Sequence, residues 1–296
     1  MKHFNRISSF AKGTIVLSFV LSLFVGASVV QAATSPLLGA ADSFVILSDS
    51  YVNTTGGTTL TGDLGYTSGP AMQPTVNGNT HVADSTYNQA GIDQGVALSA
   101  LASQPCTFNF APGPIDLASD TTHGPVGVYT PGVYCITGAA SIGGGGTITL
   151  DGAGTYIFRM DGALTTSANS QVVLSNGATV CDVWWTPTQA STLGANSTFR
   201  GTIIAAPGIT SGNNVTWTGK ALAFGGTVST SSDTISTSTC APIASGPSTP
   251  TPPTTSVPLL AETGVNTLLL IAIVSAVSAL GAVILLRAYL KTRTNS

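Results

Sequence analysis

The stretch "GTYIFRMDGALTTSANSQVVLSNGATVCDVWWTPTQASTLGANSTFRG", residues 154–201, runs twice through one order of short segments. A dense apolar run ("GTYIFRMDG", then "TVCDVWWTPT") is followed by a small polar one ("ALTTSANS", then "STLGANS") and by a short alternating one ("QVVLSNG", then "STFRG"). Outward from it the order continues: "TITLDG" stands before, while "GTIIAAPG", "GITSGNN", "VTWTG", "GKALAFGG" and "GTVSTSSD" come after. Apolar residues that alternate over a few positions between Gly, Asn or Asp turns mark short strands buried on one side. Three such strands per repeat, at an irregular spacing of about twenty residues, describe a stack of coils in which each buries its apolar side chains only against its neighbours. The expected fold is mainly β, a right-handed triangular β-solenoid. Regularly spaced short strands also fit a β-sandwich, but the recurring three-strand order favours the solenoid.

One segment breaks the pattern. In "HVADSTYNQAGIDQGVALSALAS", residues 81–103, Tyr87, Ile92, Val96, Leu98 and Leu101 fall near helical spacing, which predicts one long α-helix over about 83–103 packed alongside the solenoid. The earlier "SFVILSDSYVNTTGGTTLTGDLG", residues 43–65, reads as strands again, so the helix is inserted between an amino-terminal coil and the rest. Asn169, Asn196 and Asn213 recur at one corner, where a side-chain amide can satisfy turn backbone and stack on the coil above.

Strand side chains point alternately in and out, so the apolar residues assign the faces. On one face Leu164, Leu193, Ile209 and Val228 point inward, leaving Thr165, Thr192, Thr210, Thr227 and Ser229 outward. On another, Ile148, Val172, Phe199 and Val215 point inward, leaving Thr147, Thr149, Gln171, Thr198, Arg200, Thr216 and Thr218 outward. The strands bearing Arg159, Asp182 and Lys220 carry charge and are expected nearer the helix, and at least one of Trp184 and Trp185 belongs in the core.

Charged residues make up 7% of the 296, far below the usual quarter, so Thr, Ser, Asn, Gly and Ala must form the surface. Six of the nine Lys and Arg residues lie in the terminal segments. Residues 33–263 keep only Arg159, Arg200 and Lys220 against all twelve acids, a formal charge of −9. No nucleic-acid partner is expected, because phosphate binding needs clustered cations. Cys106, Cys135, Cys181 and Cys240 face an oxidising exterior, and three pairings are possible. Cys106 with Cys135 and Cys181 with Cys240 is favoured, since the second pair would tie the end of the domain to an inner strand. No two cysteines have zinc-type close spacing and His81 and His123 stand apart, so neither a metal site nor a cofactor is expected.

The ends carry addresses. Lys2, Arg6 and Lys12, an apolar stretch over about 14–30 and the small-residue site before Ala33 have the layout of a secretory signal peptide cut after Ala32, with an amino-terminal anchor as the alternative. Residues 268–286 are apolar and long enough to span a bilayer, and Arg287, Lys291 and Arg293 behind them hold the tail on the cytoplasmic side. Residues 241–258, "APIASGPSTPTPPTTSVP", form an extended stalk. The chain's single glutamate lies in Leu260-Ala261-Glu262-Thr263-Gly264, which with the span and basic tail resembles a cell-wall sorting signal of the LPXTG type, Ala261 standing where the commonest form has Pro. The resemblance implies cutting between Thr263 and Gly264 by a sortase-type transpeptidase and attachment of Thr263 to the cell envelope. A plain carboxy-terminal membrane anchor is the alternative. Either reading gives a signal helix, a transmembrane helix present at least before processing, and an extracellular head.

Taken together, "LGAADSFVILSDSYVNT", "TLTGDLG", "PGVYCITGAASI", "TITLDGAGTYIFRMDGALTT", "ATVCDVWWTPTQASTLGANSTFRGTIIA" and "TGKALAFGGTVS" resemble the ice-binding protein family with an irregular β-solenoid and a long flanking helix, over nearly all of residues 36–236. The resemblance implies adsorption to an ice crystal surface through one solenoid face. The candidates are then Thr165, Thr192, Thr210, Thr227 and Ser229 on one face, or Thr147, Thr149, Thr198, Thr216 and Thr218 on the other, where stacked hydroxyls and methyls can hold a regular layer of water. A surface adhesin would use the same stalk and anchor. An enzyme is not expected: Asp151 with Asp161, or Asp116 with Asp120, could be nominated as glycosidase carboxyls, but Asp in a turn is usually structural, and no nucleophile and base stand out.

Overall fold

The computed structural model describes residues 32–238. The expected signal peptide, stalk, sorting signal and membrane span lie outside them. Among the described residues no helix is long and apolar enough to cross a membrane.

The strands wind into a three-faced solenoid in which the pairings are parallel. In space it begins with the two-residue strands Phe108–Asn109, Ile115–Asp116 and Val128–Tyr129, on which stack Gly132–Ile136, Ala140–Ile142 and Thr147–Asp151. The next coil is Tyr156–Met160, Leu164–Thr166 and Gln171–Ser175, and after it come Val183–Pro187, Ser191–Leu193 and Thr198–Ile204. Two further coils are made from Gly208–Asn213, the long strand Thr216–Ser231 and Thr234–Ser236.

Beyond the last of these the amino-terminal strands take over. Phe44–Asn53 pairs with Thr216–Ser231, Thr59–Thr61 with Thr234–Ser236, and then Asp63–Tyr66 and Thr75–Asn77 add the final coil, closed by Thr80–Val82. The start of the domain therefore stacks on its end. The helix Ser85–Ala102 returns from this pole toward the first coil; its 18 residues rise about 27 Å, the depth of five to six strand spacings of about 4.8 Å.

The helix-covered face explains the dense apolar runs of the sequence. A strand with one wet face alternates, whereas one covered on both sides is apolar throughout. Tyr134, Phe158 and Trp185 point into the solenoid and lie in register, Phe158 stacked on Tyr134 at 5.1 Å and on Trp185 at 4.3 Å. Their neighbours Val133, Cys135, Ile157 and Trp184 point out, under the helix, with Leu222, Leu47 and Phe44 further along. Both tryptophans are thus buried, in different layers.

The helix meets this face through Tyr87, Ala90, Gly91, Gln94, Ala97 and Leu101. Of the five apolar residues that marked it in the sequence, Ile92 and Val96 are exposed. Small side chains win the interface because they let the backbone approach: a Cβ on Gly91 would stand 2.4 Å from the Phe224 ring. Asp84 caps the amino terminus, its carboxylate accepting from the Tyr87 N–H at 2.8 Å. This bond and His81 hold the Asp84 carboxyl below its usual range.

The charged side chains serve this face, as their strands suggested. Arg159 donates to the carbonyls of Ala102 and Gln104 at the helix end, Lys220 to the Asp42 carbonyl, and Ser35 donates to Asp182. Burial pushes the Lys220 ammonium below its usual range, against the pull of Asp42.

The corner asparagines need one correction. The residues that turn the chain two positions before each strand of the next face are Gly145, Asn169, Asn196, Asn214, Ser232 and Gly57, all at positive φ; Asn213 is the last residue of its strand. A left-handed backbone favours Gly and, among residues with a Cβ, Asn. Backbone geometry, more than amide hydrogen bonding, selects this ladder: the amide-to-amide bond from Asn214 Nδ2 to Asn196 Oδ1 is a long one, at 3.5 Å. The disulfide Cys106–Cys135 is present. Cys181 is also disulfide-bonded, and its expected partner Cys240 lies outside the described residues.

Candidate functional site

With one face under the helix, two remain for solvent. On the first, Leu164, Leu193, Ile209 and Val228 are buried as expected, and Thr165, Thr192, Thr210 and Ser229 form a single outward column, extended by Ser141 and Asp116 at one end and Val52 at the other. Thr227 points outward in the neighbouring position, paired with Gly208 and Ser50. The strands are mostly three residues long, and the pairing shifts at the two corners of the face, between Thr210 and Asn213 and between Ser48 and Ser50.

The other open face is built differently. Thr147, Gln171, Thr198, Thr216, Thr234, Thr59 and Thr75 pair in one unbroken outward column across seven strands. Two residues along each strand, Arg200, Thr218, Ser236, Thr61 and Asn77 form a second column, and Thr149 pairs with Val173 and Val128 further down. Between the columns Ile148, Val172, Phe199, Trp217, Ile235 and Leu60 are buried. The inward residue in register with Phe199 is Trp217; Val215 is buried too, but at the corner position.

Four consecutive strands of this threonine face carry only short outward groups: Thr216 and Thr218, Thr234 and Ser236, Thr59 and Thr61, Thr75 and Asn77. Neighbouring rows stand about 4.8 Å apart and the two columns about 6.6 Å. Below them Gln171 and Arg200 interrupt the pattern. The sequence reading found Thr147, Thr149, Thr198, Thr216 and Thr218 but missed Thr234, Ser236, Thr59, Thr61, Thr75 and Asn77. A signal was present: "TLTG" at 59–62 has the form of "TWTG" at 216–219.

Nothing in the four-strand patch titrates. Its edge is stiffened from inside by Asp233, whose carboxylate accepts from the N–H groups of Val215 and Ser231 at 2.8 and 2.9 Å. Burial raises the Asp233 carboxyl above its usual range, more than these bonds lower it.

Asp116, Asp120, Asp151 and the two described histidines are engaged in structure. Asp116 accepts from the N–H groups of Ala118 and Gly143, and Asp151 from Ser175 and Asn176. Each of the two described histidines is tied to an aspartate. His123 bonds Asp120 at 2.6 Å and the Val128 carbonyl at 2.9 Å, stacked on Tyr129, and His81 bonds Asp84 at 2.8 Å.

A three-faced solenoid with one flanking helix and an amino-terminal coil stacked on the last carboxy-terminal one is a specific architecture, and the family model described as ice-binding-like matches residues 46–236. The chain belongs to the ice-binding-like family. An ice-binding protein of Nostoc sp. (strain HG1) is 32% identical over 219 residues, covering 70% of this chain and 76% of that protein. Ice-binding protein K3-B1 of Typhula ishikariensis is 26% identical over 212 residues, covering 64% and 85%. Among solved structures, an ice-binding protein from an Antarctic biological consortium superposes with a TM-score of 0.63 at 29% identity, over 70% of this chain and 93% of that one. One from the Antarctic ascomycete Antarctomyces psychrotrophicus gives 0.60 at 29%, over 69% and 98%. Family membership points away from an enzyme.

Proposed function

We propose that the protein adsorbs to ice through the threonine face, with the four strands carrying Thr216, Thr234, Thr59 and Thr75 as its centre, and thereby inhibits ice growth or recrystallisation. The observation that carries this reading is the double column of short hydroxyl and amide side chains in unslipped register. Each threonine offers a methyl and a hydroxyl at a fixed height, so water over the patch meets a periodic array. The side chains are β-branched and already ordered by the strands, which keeps the entropy lost on adsorption small. Adsorption needs no proton transfer and no cofactor.

The test is thermal hysteresis and recrystallisation inhibition by residues 33–241 beside Thr234→Tyr and Thr192→Tyr. Loss in the first alone supports the threonine face. Loss in the second alone moves the site to the short-strand face, and an inactive but folded parent returns the protein to the adhesin reading.

The head is proposed to be secreted and held at the envelope. Support comes from the sequence alone: the signal-peptide layout, the stalk, and the order of sorting motif, span and basic tail. Thr263→Ala should release the protein from the wall fraction if a transpeptidase joins Thr263 to the envelope; unchanged wall labelling would reject covalent sorting. A right-handed winding is proposed on the general preference of parallel crossovers.

A further inference from the structure

Arg159 stands at an unusual junction. One terminal nitrogen, Nη1, donates to the carbonyls of Ala102 and Gln104, while Nη2 lies 2.9 Å from Cys106 Sγ and 3.0 Å from Cys135 Sγ. Among the described residues no carboxylate lies within salt-bridge distance of Arg159. The guanidinium thus directs its uncompensated charge at a disulfide, whose sulfurs are weak acceptors, and at two neutral carbonyls. A neutral disulfide gains little from a cation, but a thiolate in the same place gains a great deal.

From this geometry we infer that Cys106–Cys135 is a thiol-exchange site, open to small thiols, with Arg159 as the counter-ion of the leaving thiolate. Cys106 is half-buried and Cys135 buried, so an incoming thiolate reaches Cys106. It attacks Cys106 Sγ, a mixed disulfide forms there, and the electron pair of the broken S–S bond leaves on Cys135 Sγ, beside Nη2 of Arg159. A second thiolate then attacks the small-thiol sulfur of the mixed disulfide and releases Cys106 as a thiolate; two thiols are oxidised to one disulfide and the protein gains two electrons, with protons from solvent. Exchange is faster when the leaving thiolate is stabilised.

The bond closes a loop of sequence separation 29 that holds all of the first coil, whose strands are two residues long. Opening it unties that coil from the helix end and leaves the four-strand patch, at the other pole, untouched.

The experiment treats the folded protein with reduced glutathione near neutral pH, quenches with an alkylating reagent and maps each cysteine by mass spectrometry, the disulfide at Cys181 serving as internal reference. Cys106–Cys135 is expected to open roughly tenfold faster than the reference, with the first glutathione adduct on Cys106. Arg159→Gln should slow opening roughly three- to tenfold, and Arg159→Lys should recover part of the rate. If Arg159 only clamps the helix end, Arg159→Gln loosens the region and speeds opening, which would overturn the proposal. So would a first adduct on Cys135, or a wild-type bond no faster than the reference, and the latter two decide the matter even if Arg159→Gln does not fold.

Discussion

The two open faces of the solenoid have almost the same composition and different order. The short-strand face sets Thr165, Thr192, Thr210 and Ser229 in one column on strands that are mostly three residues long, with shifts in pairing at its corners, whereas the threonine face sets two columns side by side, the first continuous across seven strands. Threonine is simply a good exposed strand residue. Its abundance therefore says little, and the second column standing in register beside the first says more.

The largest expected effect is on activity. Thr234→Tyr should reduce recrystallisation inhibition roughly tenfold or more, since one bulky group at the centre of a binding surface holds its neighbours off as well, and Thr192→Tyr should stay within about twofold; equal losses would dissolve the distinction between the faces. Next comes the corner the two faces share. Asn196→Ala forces a Cβ-bearing residue without an amide into the left-handed turn and should cost about 1 kcal/mol by chemical denaturation, while Asn196→Gly should cost less.

A smaller effect is expected at the same corner from Asp233. Its carboxyl is raised by burial, so its ionisation is disfavoured in the fold. Its contribution is fully present below the unfolded carboxyl pKa of about 3.9 and lost as pH rises through the higher folded value. The Tm difference between Asp233→Asn and wild type should accordingly move in favour of the Asn variant from pH 3 to 7, and a difference that stays flat would contradict this. The smallest effect is none at all. Ice activity should not change across the carboxylate range wherever the fold is intact, because the four-strand patch holds only Thr, Ser and Asn; a pH-dependent activity of the folded protein would contradict this assignment.

Much of this was legible in the sequence because it is local. The three-strand order, the inward set Leu164, Leu193, Ile209 and Val228, and a helix near residues 83–103 follow from periodicity within a coil or two. Which side of that helix packs did not follow, since Ile92 and Val96 look like a core stripe and the true contact is made by Ala90, Gly91 and Ala97, small residues with little hydrophobic signal. Half of the candidate site was hidden for another reason. Thr59, Thr61, Thr75 and Asn77 join Thr216 and Thr234 only because the first coils stack on the last, a pairing between residues far apart in the chain whose one trace in the sequence is the likeness of "TLTG" to "TWTG".

That stacking bears on how the domain is made. Thr54 bonds Thr230 across 176 positions, and contacts so remote carry a high loop-closure cost and form late. The rows of the proposed ice patch come half from the beginning of the domain and half from its end, so a chain that still lacks its last strands has only one edge of the seam. The surface comes into being only when the whole head is present and the seam has closed, and the appearance of ice activity during refolding would time the last step of folding.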